Sequence, residues 1–196
     1  MLVLVRHGRT EANASGLLLG HADPRLDDEG RRQAAALAAA FADGPARPAR
    51  VVSSPLRRTM ATAEAIGAAV GVEVEPDRAW IELDYGELDG TPLAQVPAAT
   101  WATWRADPTF APPGGESLAA LRVRVEAALA GLLADAAERD VIVVSHVSPI
   151  KAAVAWALGV GDAITWRMFL GTAGVSRIAI GPHGPSLHSF NERLAG

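Results

Sequence analysis

The most informative absence in the sequence is that of cysteine. None of the 196 residues is a cysteine, which excludes disulfide bonds, a thiolate nucleophile and a zinc site built on thiolates. Proteins without disulfides are typical of reducing compartments, so we expect this protein in the cytoplasm.

Long apolar runs and a surplus of basic residues are also missing. The N-terminal run Leu2 to Val5 is far too short for a signal peptide or a membrane span, and it ends at Arg6. The chain has 18 Lys and Arg against 22 Asp and Glu, a net charge of −4, and its basic residues form no stripe. We therefore expect neither a membrane nor a nucleic acid as partner. A small-molecule substrate is expected, and self-association as a homodimer is compatible with the sequence.

The length and the 49% of apolar residues suit one sizeable core, so we predict a single domain over residues 1–196. The region of about residues 92–115 is richer in Pro, Gly and Trp and weaker in periodicity. It predicts short helices around Trp101 and Trp104 followed by a loop, which together would form a small lid or insertion.

Strand and helix patterns alternate along the chain. Short apolar runs predict buried strands at residues 2–5, 50–53 and 141–144, and the tail predicts further strands at 166–170, 175–180 and 187–190. Helices are predicted at 27–41 with stop signals up to Pro45, at 54–70 with Ser54 as cap, at 117–138, and at 148–158 with Ser148 as cap. This order predicts an α/β three-layer sandwich, a mostly parallel central sheet with helices on both faces.

Ligands of such sheets bind outside the carboxyl ends of the strands. Three predicted strands end at Arg6-His7-Gly8, at the segment 53–58 and at Ser145-His146, so arginines and two histidines should meet at one rim. A phosphoryl group needs arginines around its oxygens, a nucleophile, and an acid that protonates the leaving oxygen. A neutral imidazole can be that nucleophile. The sequence therefore predicts phosphoryl-transfer chemistry.

Four motifs occur in order between residue 2 and about residue 159: residues 6–10 with Asn13, Gly16, Gly20 and 26–30; residues 53–59 with 62–63; residues 80–86 with 89–90; and residues 143–146. Together they resemble the histidine phosphatase superfamily, the phosphoglycerate mutase-like proteins. The short middle region resembles the small phosphatase branch, which includes α-ribazole phosphatase-like proteins. Residues 145–151 resemble the phosphatase domains that actinobacteria attach to ribonuclease H.

The resemblance implies a phosphomonoester hydrolase for a small metabolite, acting without a cofactor or metal. His7 would be the phosphorylated nucleophile, and Glu82 the general acid that later activates water. For Glu82, a solvated loop carboxylate is the alternative, with Asp84 and Glu87 as competitors for the acid role.

The same resemblance assigns the phosphate-binding groups. Arg6, Arg58 and His146 would line the phosphate pocket, and Asn13 and the backbone of Gly20 would complete it. The spacing of the second motif selects Arg58 over its neighbour Arg57, although a charge on the helix surface is the alternative for Arg58.

Other residues receive more ordinary assignments. We expect His21 in a loop at the substrate entrance, and His183 and His188 on the surface of the tail. The alternative to packing for Trp101 and Trp104 is stacking over the substrate.

Two departures from the family bear on the substrate. Arg9 stands where relatives often carry an acidic or amide residue, which predicts a more positive pocket mouth. Leu83 stands where glycolytic mutases carry an arginine for the substrate carboxylate, which argues against a carboxylated triose as the preferred ligand.

Three other functions are open at this point. One is a mutase-type phosphotransferase, which would pass the phosphoryl group to a second acceptor. Another is a catalytically silent phosphate-binding module. The third is a metal-dependent hydrolase, which the lack of carboxylates at ligand spacing around His7 and His146 disfavours.

Overall fold

A computed structural model describes residues 1–44 and 48–194 and has a six-stranded sheet at its centre. The strands are β1 (Leu2–Arg6), β2 (Arg50–Ser53), β3 (Val74–Pro76), β4 (Val141–Ser145), β5 (Val175–Gly181) and β6 (Gly184–Glu192). Their order is β3-β2-β4-β1-β5-β6. The first four strands pair in parallel, whereas β5 pairs antiparallel with both β1 and β6. The sheet is thus mixed, with its parallel part on one side of β1.

The helices are α1 (Glu11–Ala14), α2 (Asp28–Asp43), α3 (Arg57–Val70), α4 (Ala98–Ala106), α5 (Leu118–Ala130), α6 (Leu133–Glu138) and α7 (Val147–Leu158). Short 3-10 turns lie at Arg78–Trp80, Gly86–Leu88, Leu93–Gln95 and Asp162–Arg167. None of the helices in the described ranges is long and apolar enough to cross a membrane.

Strand β1 separates two apolar cores. Leu2 and Leu4 face one core, which α5 and α7 cover, while Val3 and Val5 face the other, which α2 and α3 cover. Side chains alternate along a strand, so a strand that is apolar at every position is buried on both faces. The predicted α/β sandwich with helices on both faces is confirmed.

The predicted starts of two helices were wrong. Helix α3 begins at Arg57 after Leu56, and the Ser54 hydroxyl lies within hydrogen-bonding distance of His146 instead of capping the helix. Helix α7 begins at Val147, with His146 at the cap position, so Ser148 lies inside the first turn. The first backbone N–H groups of α7 bond to the carboxylate of Glu82, which is distant in sequence and therefore invisible to a local capping pattern.

Other elements also differ from the predictions. The helix predicted over 117–138 is divided into α5 and α6, because the Gly131 N–H turns back to the carbonyls of Ala128 and Leu129. Residues 166–170 form the end of a 3-10 turn and a loop, and the short strand β3 was not predicted. Helix α2 runs to Asp43, and the predicted stop residue Pro45 lies outside the described residues.

The middle region contains one helix, α4, which carries both Trp101 and Trp104. A loop follows it up to the start of α5, in agreement with the predicted order of helix and loop. The role of residues 92–115 as a lid stays a prediction, as does the assignment of residues 1–196 to a single domain.

The loop after β1 is pressed against the N-terminus of α2. A Cβ atom on Gly30 would lie 2.0 Å from the Arg9 carbonyl oxygen, and one on Gly8 would lie 2.4 Å from the Gly30 carbonyl oxygen. Asp27 binds both sides of this contact, accepting from the Gly30 N–H at 2.7 Å and from Arg9 Nε at 2.7 Å. The contact therefore fixes the backbone that follows His7.

We predict that Gly30→Ala lowers the free energy of unfolding by about 1–3 kcal/mol, because the added methyl group meets backbone atoms that cannot move independently. Gly131→Ala is the matched control. Its Cβ would lie 3.5 Å from the nearest atom, and its φ of −74° suits alanine. Urea denaturation of both variants measures the difference, and equal stabilities would contradict the close packing at Gly30.

Candidate active site

The ends of three neighbouring strands bring the site together. His7 follows β1, His146 follows β4, and Arg58 lies in the first turn of the helix after β2. The His7 N–H donates to the Ser145 carbonyl at 3.1 Å and so extends the pairing of β1 with β4. The two histidine rings consequently lie edge to face, with centroids 5.1 Å apart.

His7 is buried and held in one orientation. Its Nδ1 lies 2.7 Å from the carbonyl oxygen of Gly8, which can only accept a hydrogen bond, so the proton belongs on Nδ1 and the lone pair on Nε2. Burial, followed by the charges of Arg6 and Arg58, holds the pKa of His7 well below its ordinary value of 6.5. The ring is therefore neutral near pH 7, with a free nitrogen suited to nucleophilic attack.

Arg58 and His146 form a buried pair beside His7. Arg58 Nε lies 3.3 Å from His146 Nδ1, and His146 Nε2 lies 2.8 Å from the Ser54 hydroxyl. The terminal nitrogens of Arg58 donate to the carbonyls of Gly20 and Ala22, each at 2.7 Å. Among the residues that the structure describes, no carboxylate forms an ion pair with this guanidinium, so its positive charge is available to an anion bound nearby.

Glu82 reaches the site from the loop after the 3-10 turn 78–80. Its Oε1 accepts from the N–H groups of Leu83 at 2.8 Å and Ser148 at 3.1 Å, and its Oε2 accepts from Val147 at 3.0 Å. Two of these donors belong to the first turn of α7, where the helix dipole also favours a carboxylate. The Glu82 carboxylate is thus fixed beside the helix that follows His146.

Arg6 is the second arginine of the site. It donates from Nη1 to the Leu170 carbonyl at 2.7 Å, and its buried Nε has no hydrogen-bond partner in the part of the chain that the structure describes. Burial lowers the pKa of Arg6 to about 10, against the opposing effect of the Glu82 charge. The guanidinium is still cationic at neutral pH and has a donor to spare.

Several of these groups line a cavity of about 330 Å³. Its lining includes Arg6, His7, Asn13 and Glu82. Arg58 and His146 are buried directly behind His7 and do not line the cavity in this structure. Within residues 1–44 and 48–194, no group of three or more potential metal-ligating side chains is assembled.

Of the two residues expected to complete the phosphate cradle, one lines the cavity and the other does not. Asn13 lines the cavity, and its Oδ1 accepts from Thr10, which leaves the amide NH₂ group for a ligand. The Gly20 N–H is already bonded to Asp89 Oδ1 at 2.8 Å, and Gly20 does not line the cavity. In this structure Gly20 contributes through its carbonyl, which orients Arg58.

The cavity is also lined by residues to which the sequence had assigned no binding role. They are Tyr85, Ser148, Lys151 and Trp166, together with several leucines. Helical spacing would have placed Ser148 and Lys151 on the same face of α7, once the helix start at Val147 was known. Trp166 could not be found in this way, because its segment was predicted to be a strand.

Trp101 and Trp104 pack against each other and also line the cavity. Their rings are stacked with centroids 5.7 Å apart, and Trp166 contacts each of them edge to face at 6.1 Å. The aromatic wall combines the predicted packing role with a surface that faces the ligand space.

The remaining predictions concern residues outside the cavity lining. Arg9 is paired with Asp27, which compensates its charge, and it does not line the cavity. The more positive pocket mouth stays a prediction. His21 binds the Glu82 carbonyl oxygen at 2.9 Å and lies 3.4 Å from Asp84, outside the cavity lining. His183 and His188 are exposed, as predicted.

Residues 2–193 match the family model described as histidine phosphatase superfamily (branch 1). The chain belongs to this superfamily. A mycobacterial hydrolase of known structure shares the fold with a TM-score of 0.89 at 32% identity, over 98% of both chains.

Two Mycobacterium tuberculosis proteins are among the most similar sequences. A glucosyl-3-phosphoglycerate phosphatase is 34% identical over 98% of this chain and 92% of its own length. A bifunctional protein is also 34% identical, over 89% of this chain, and the chain spans about half the length of that relative.

The resemblance to the small phosphatase branch is confirmed as well. A solved structure from Escherichia coli, assigned as an α-ribazole-5′-phosphate phosphatase, matches with a TM-score of 0.84 at 28% identity and covers 100% of this chain and 97% of its own.

We predict that Arg58→Ala weakens the binding of phosphate or vanadate by roughly 10- to 100-fold, the range expected for losing one charged donor. Arg57→Ala is the matched control, because the neighbouring arginine is exposed. Calorimetric titration measures both, with circular dichroism to confirm folding, and Arg58→Lys serves if the alanine variant unfolds. Equal affinities of the Arg57 and Arg58 variants would show that the wrong arginine is assigned.

A second prediction concerns pH. The unfolded chain keeps the ordinary histidine pKa of 6.5, whereas burial lowers the pKa of folded His7, so protons bind preferentially to the unfolded chain. The stability due to neutral His7 is complete above pH 6.5 and is lost as the pH falls below it. His7→Gln should therefore flatten the acid slope by up to about 1.4 kcal/mol per pH unit.

Urea denaturation between about pH 7.5 and pH 5 measures this slope. His183→Gln removes an exposed histidine and should leave the slope as it is in the wild type. An unchanged slope in His7→Gln would mean that His7 is not held neutral by the fold.

Proposed function

We propose that this chain hydrolyses phosphate monoesters of small metabolites in two steps, through a phosphohistidine on His7 and without a metal ion. As a member of a superfamily in which its similar relatives are phosphatases, the chain is a phosphomonoester hydrolase. The observation that carries the proposed mechanism is the neutral, oriented imidazole of His7 at the end of a cavity lined by Arg6 and Glu82.

In the first step, the lone pair on His7 Nε2 attacks phosphorus and the bond from phosphorus to the ester oxygen breaks. The leaving alkoxide takes its proton from Glu82, which must therefore enter the step as the carboxylic acid. The imidazole gains positive charge as the phosphorus–nitrogen bond forms, and the Gly8 carbonyl at Nδ1 stabilises that charge.

In the second step, the Glu82 carboxylate takes a proton from water as the oxygen attacks phosphorus and the phosphorus–nitrogen bond breaks. Inorganic phosphate leaves, His7 Nε2 recovers its lone pair, and Glu82 is again protonated. Arg6 and the Asn13 amide would contact the phosphoryl oxygens from the cavity side. Arg58 and His146 would act from behind His7, where the positive charge of Arg58 favours an anion.

The size and lining of the cavity support a small leaving group. A volume of about 330 Å³ is at the low end for ligand pockets, and the apolar part of the cavity lining combines leucines with tryptophans. We also propose a cytoplasmic location, because the chain has no cysteine and proteins without disulfides are typical of reducing compartments.

The role of Glu82 predicts a dependence on the leaving group. Glu82→Gln should depress turnover of an alkyl phosphate far more than phosphorylation of His7 by p-nitrophenyl phosphate, because a nitrophenolate departs without a proton. With the activated ester, the variant should accumulate phosphoenzyme and show a burst, since it cannot activate water.

Glu87→Gln is the matched control, because Glu87 is exposed near the same loop. Rapid-quench kinetics with both esters measure the burst, and base-stable, acid-labile phosphate on a peptide containing His7 identifies the intermediate. An equal loss for both esters without trapped phosphoenzyme would remove Glu82 from the acid role and make Asp84 or Glu87 the next candidate.

A further inference from the structure

The cavity contains the only lysine of the sequence, Lys151. Val147, Ser148 and Lys151 occupy positions i, i+1 and i+4 of α7, and all three line the cavity. The proposed reaction uses the N–H groups of Val147 and Ser148 to hold Glu82, but it assigns nothing to Lys151.

Over residues 1–44 and 48–194, Lys151 has no counter-ion. Its ammonium donates to the Thr165 carbonyl at 3.0 Å, and in the described parts of the chain no carboxylate forms an ion pair with it. An ammonium has three donors, so two are left for a ligand. Burial, with a contribution from the charge of Arg6, lowers the pKa of Lys151, while the Glu82 charge opposes the shift.

The position of Lys151 relative to the reaction is set by the helix. Four residues of α-helix rise about 6 Å, so Lys151 lies about one turn beyond the Val147 N–H that holds Glu82. Apolar side chains, among them Leu17, Leu19 and Trp166, make up much of the lining of the same cavity. A cation in such surroundings distinguishes anionic from neutral groups more strongly than it would in water. The other cation in the lining, Arg6, is assigned to the phosphoryl group in the proposed reaction.

We propose that Lys151 binds a carboxylate on the leaving group, so that the preferred substrates are small phosphate monoesters with a carboxylate a few bonds from the ester oxygen. This rests on the hydrolase function proposed above. One ammonium matches the single charge of a carboxylate, whereas a second phosphate would bring two charges to the same cation. Leu83 stands where glycolytic mutases carry an arginine for the substrate carboxylate, and Lys151 on α7 would supply the cation in its place.

The test compares O-phosphoserine with O-phosphoethanolamine, which differ by one carboxylate. We expect the wild type to favour phosphoserine in kcat/KM by roughly 10- to 100-fold, the range for a hydrogen bond between charged groups. Lys151→Gln removes the charge and retains a donor for the Thr165 carbonyl, so it should lower this ratio at least ~10-fold, mainly through KM. Lys151→Arg should retain most of the preference.

Arg167→Met is the matched control, since it removes an exposed positive charge from the neighbouring 3-10 turn and should leave the ratio unchanged. A Lys151 that only anchored Thr165 would affect both esters equally, so an unchanged ratio in Lys151→Gln would overturn the proposal. So would a wild type without preference for the carboxylate. If Lys151→Gln fails to fold, Lys151→Met takes its place, and an unchanged ratio in that variant would overturn the proposal. The wild-type ratio is measured in either case.

p-Nitrophenyl phosphate separates this proposal from the hydrolase function. Turnover of p-nitrophenyl phosphate without preference between the two alkyl esters would overturn the role of Lys151 alone. No turnover of any of the three esters would overturn the proposed function and the role of Lys151 with it.

Discussion

The parallel pairing of β1 with β4 is the constraint on which the site depends. Arg6 pairs with Ser145 in the register of these strands, and the next backbone bond runs from His7 to the same serine. His7 and His146 therefore leave the sheet side by side. A shift of the register by one residue would turn the side chains of β1 to the opposite faces and place apolar residues against the wrong core. The packing of both cores thus fixes the spacing of the two histidines.

Electrostatics determines what these histidines can do. Two arginines lie beside neutral imidazoles, and in the described structure neither guanidinium has a carboxylate as an ion-pair partner. This excess of positive charge is unfavourable in the empty site and becomes favourable when a phosphoryl group enters. Burial, with a contribution from the same charges, holds the pKa of His7 well below its ordinary value. The arginine charges therefore contribute both to binding and to the availability of the nucleophile. Glu82 is held by backbone donors rather than by either arginine, which leaves the arginines to the substrate.

Much of this arrangement could be predicted from the sequence, because it follows from local patterns. Short runs of β-branched residues placed β1, β2 and β4, and the rule for parallel sheets placed His7, Arg58 and His146 at one rim. Features that depend on distant residues could not be predicted. The cap of α7 comes from Glu82, the Gly20 N–H is taken by Asp89, and the charge of Arg9 is compensated by Asp27. Lys151 is the last residue of the recognised run 145–151, but its place in a cavity with Trp101 and Trp166 could be found only in the structure.

The central claim is that phosphoryl transfer takes place in two displacements at His7. The most direct test is the stereochemistry at phosphorus. The phosphoryl group of an isotopically chiral phosphate monoester is transferred to an acceptor alcohol, and the configuration of the product is determined by phosphorus NMR. Each in-line displacement inverts phosphorus, so attack by His7 followed by attack of the alcohol predicts overall retention. Overall inversion would show a single direct displacement and would contradict the phosphohistidine mechanism.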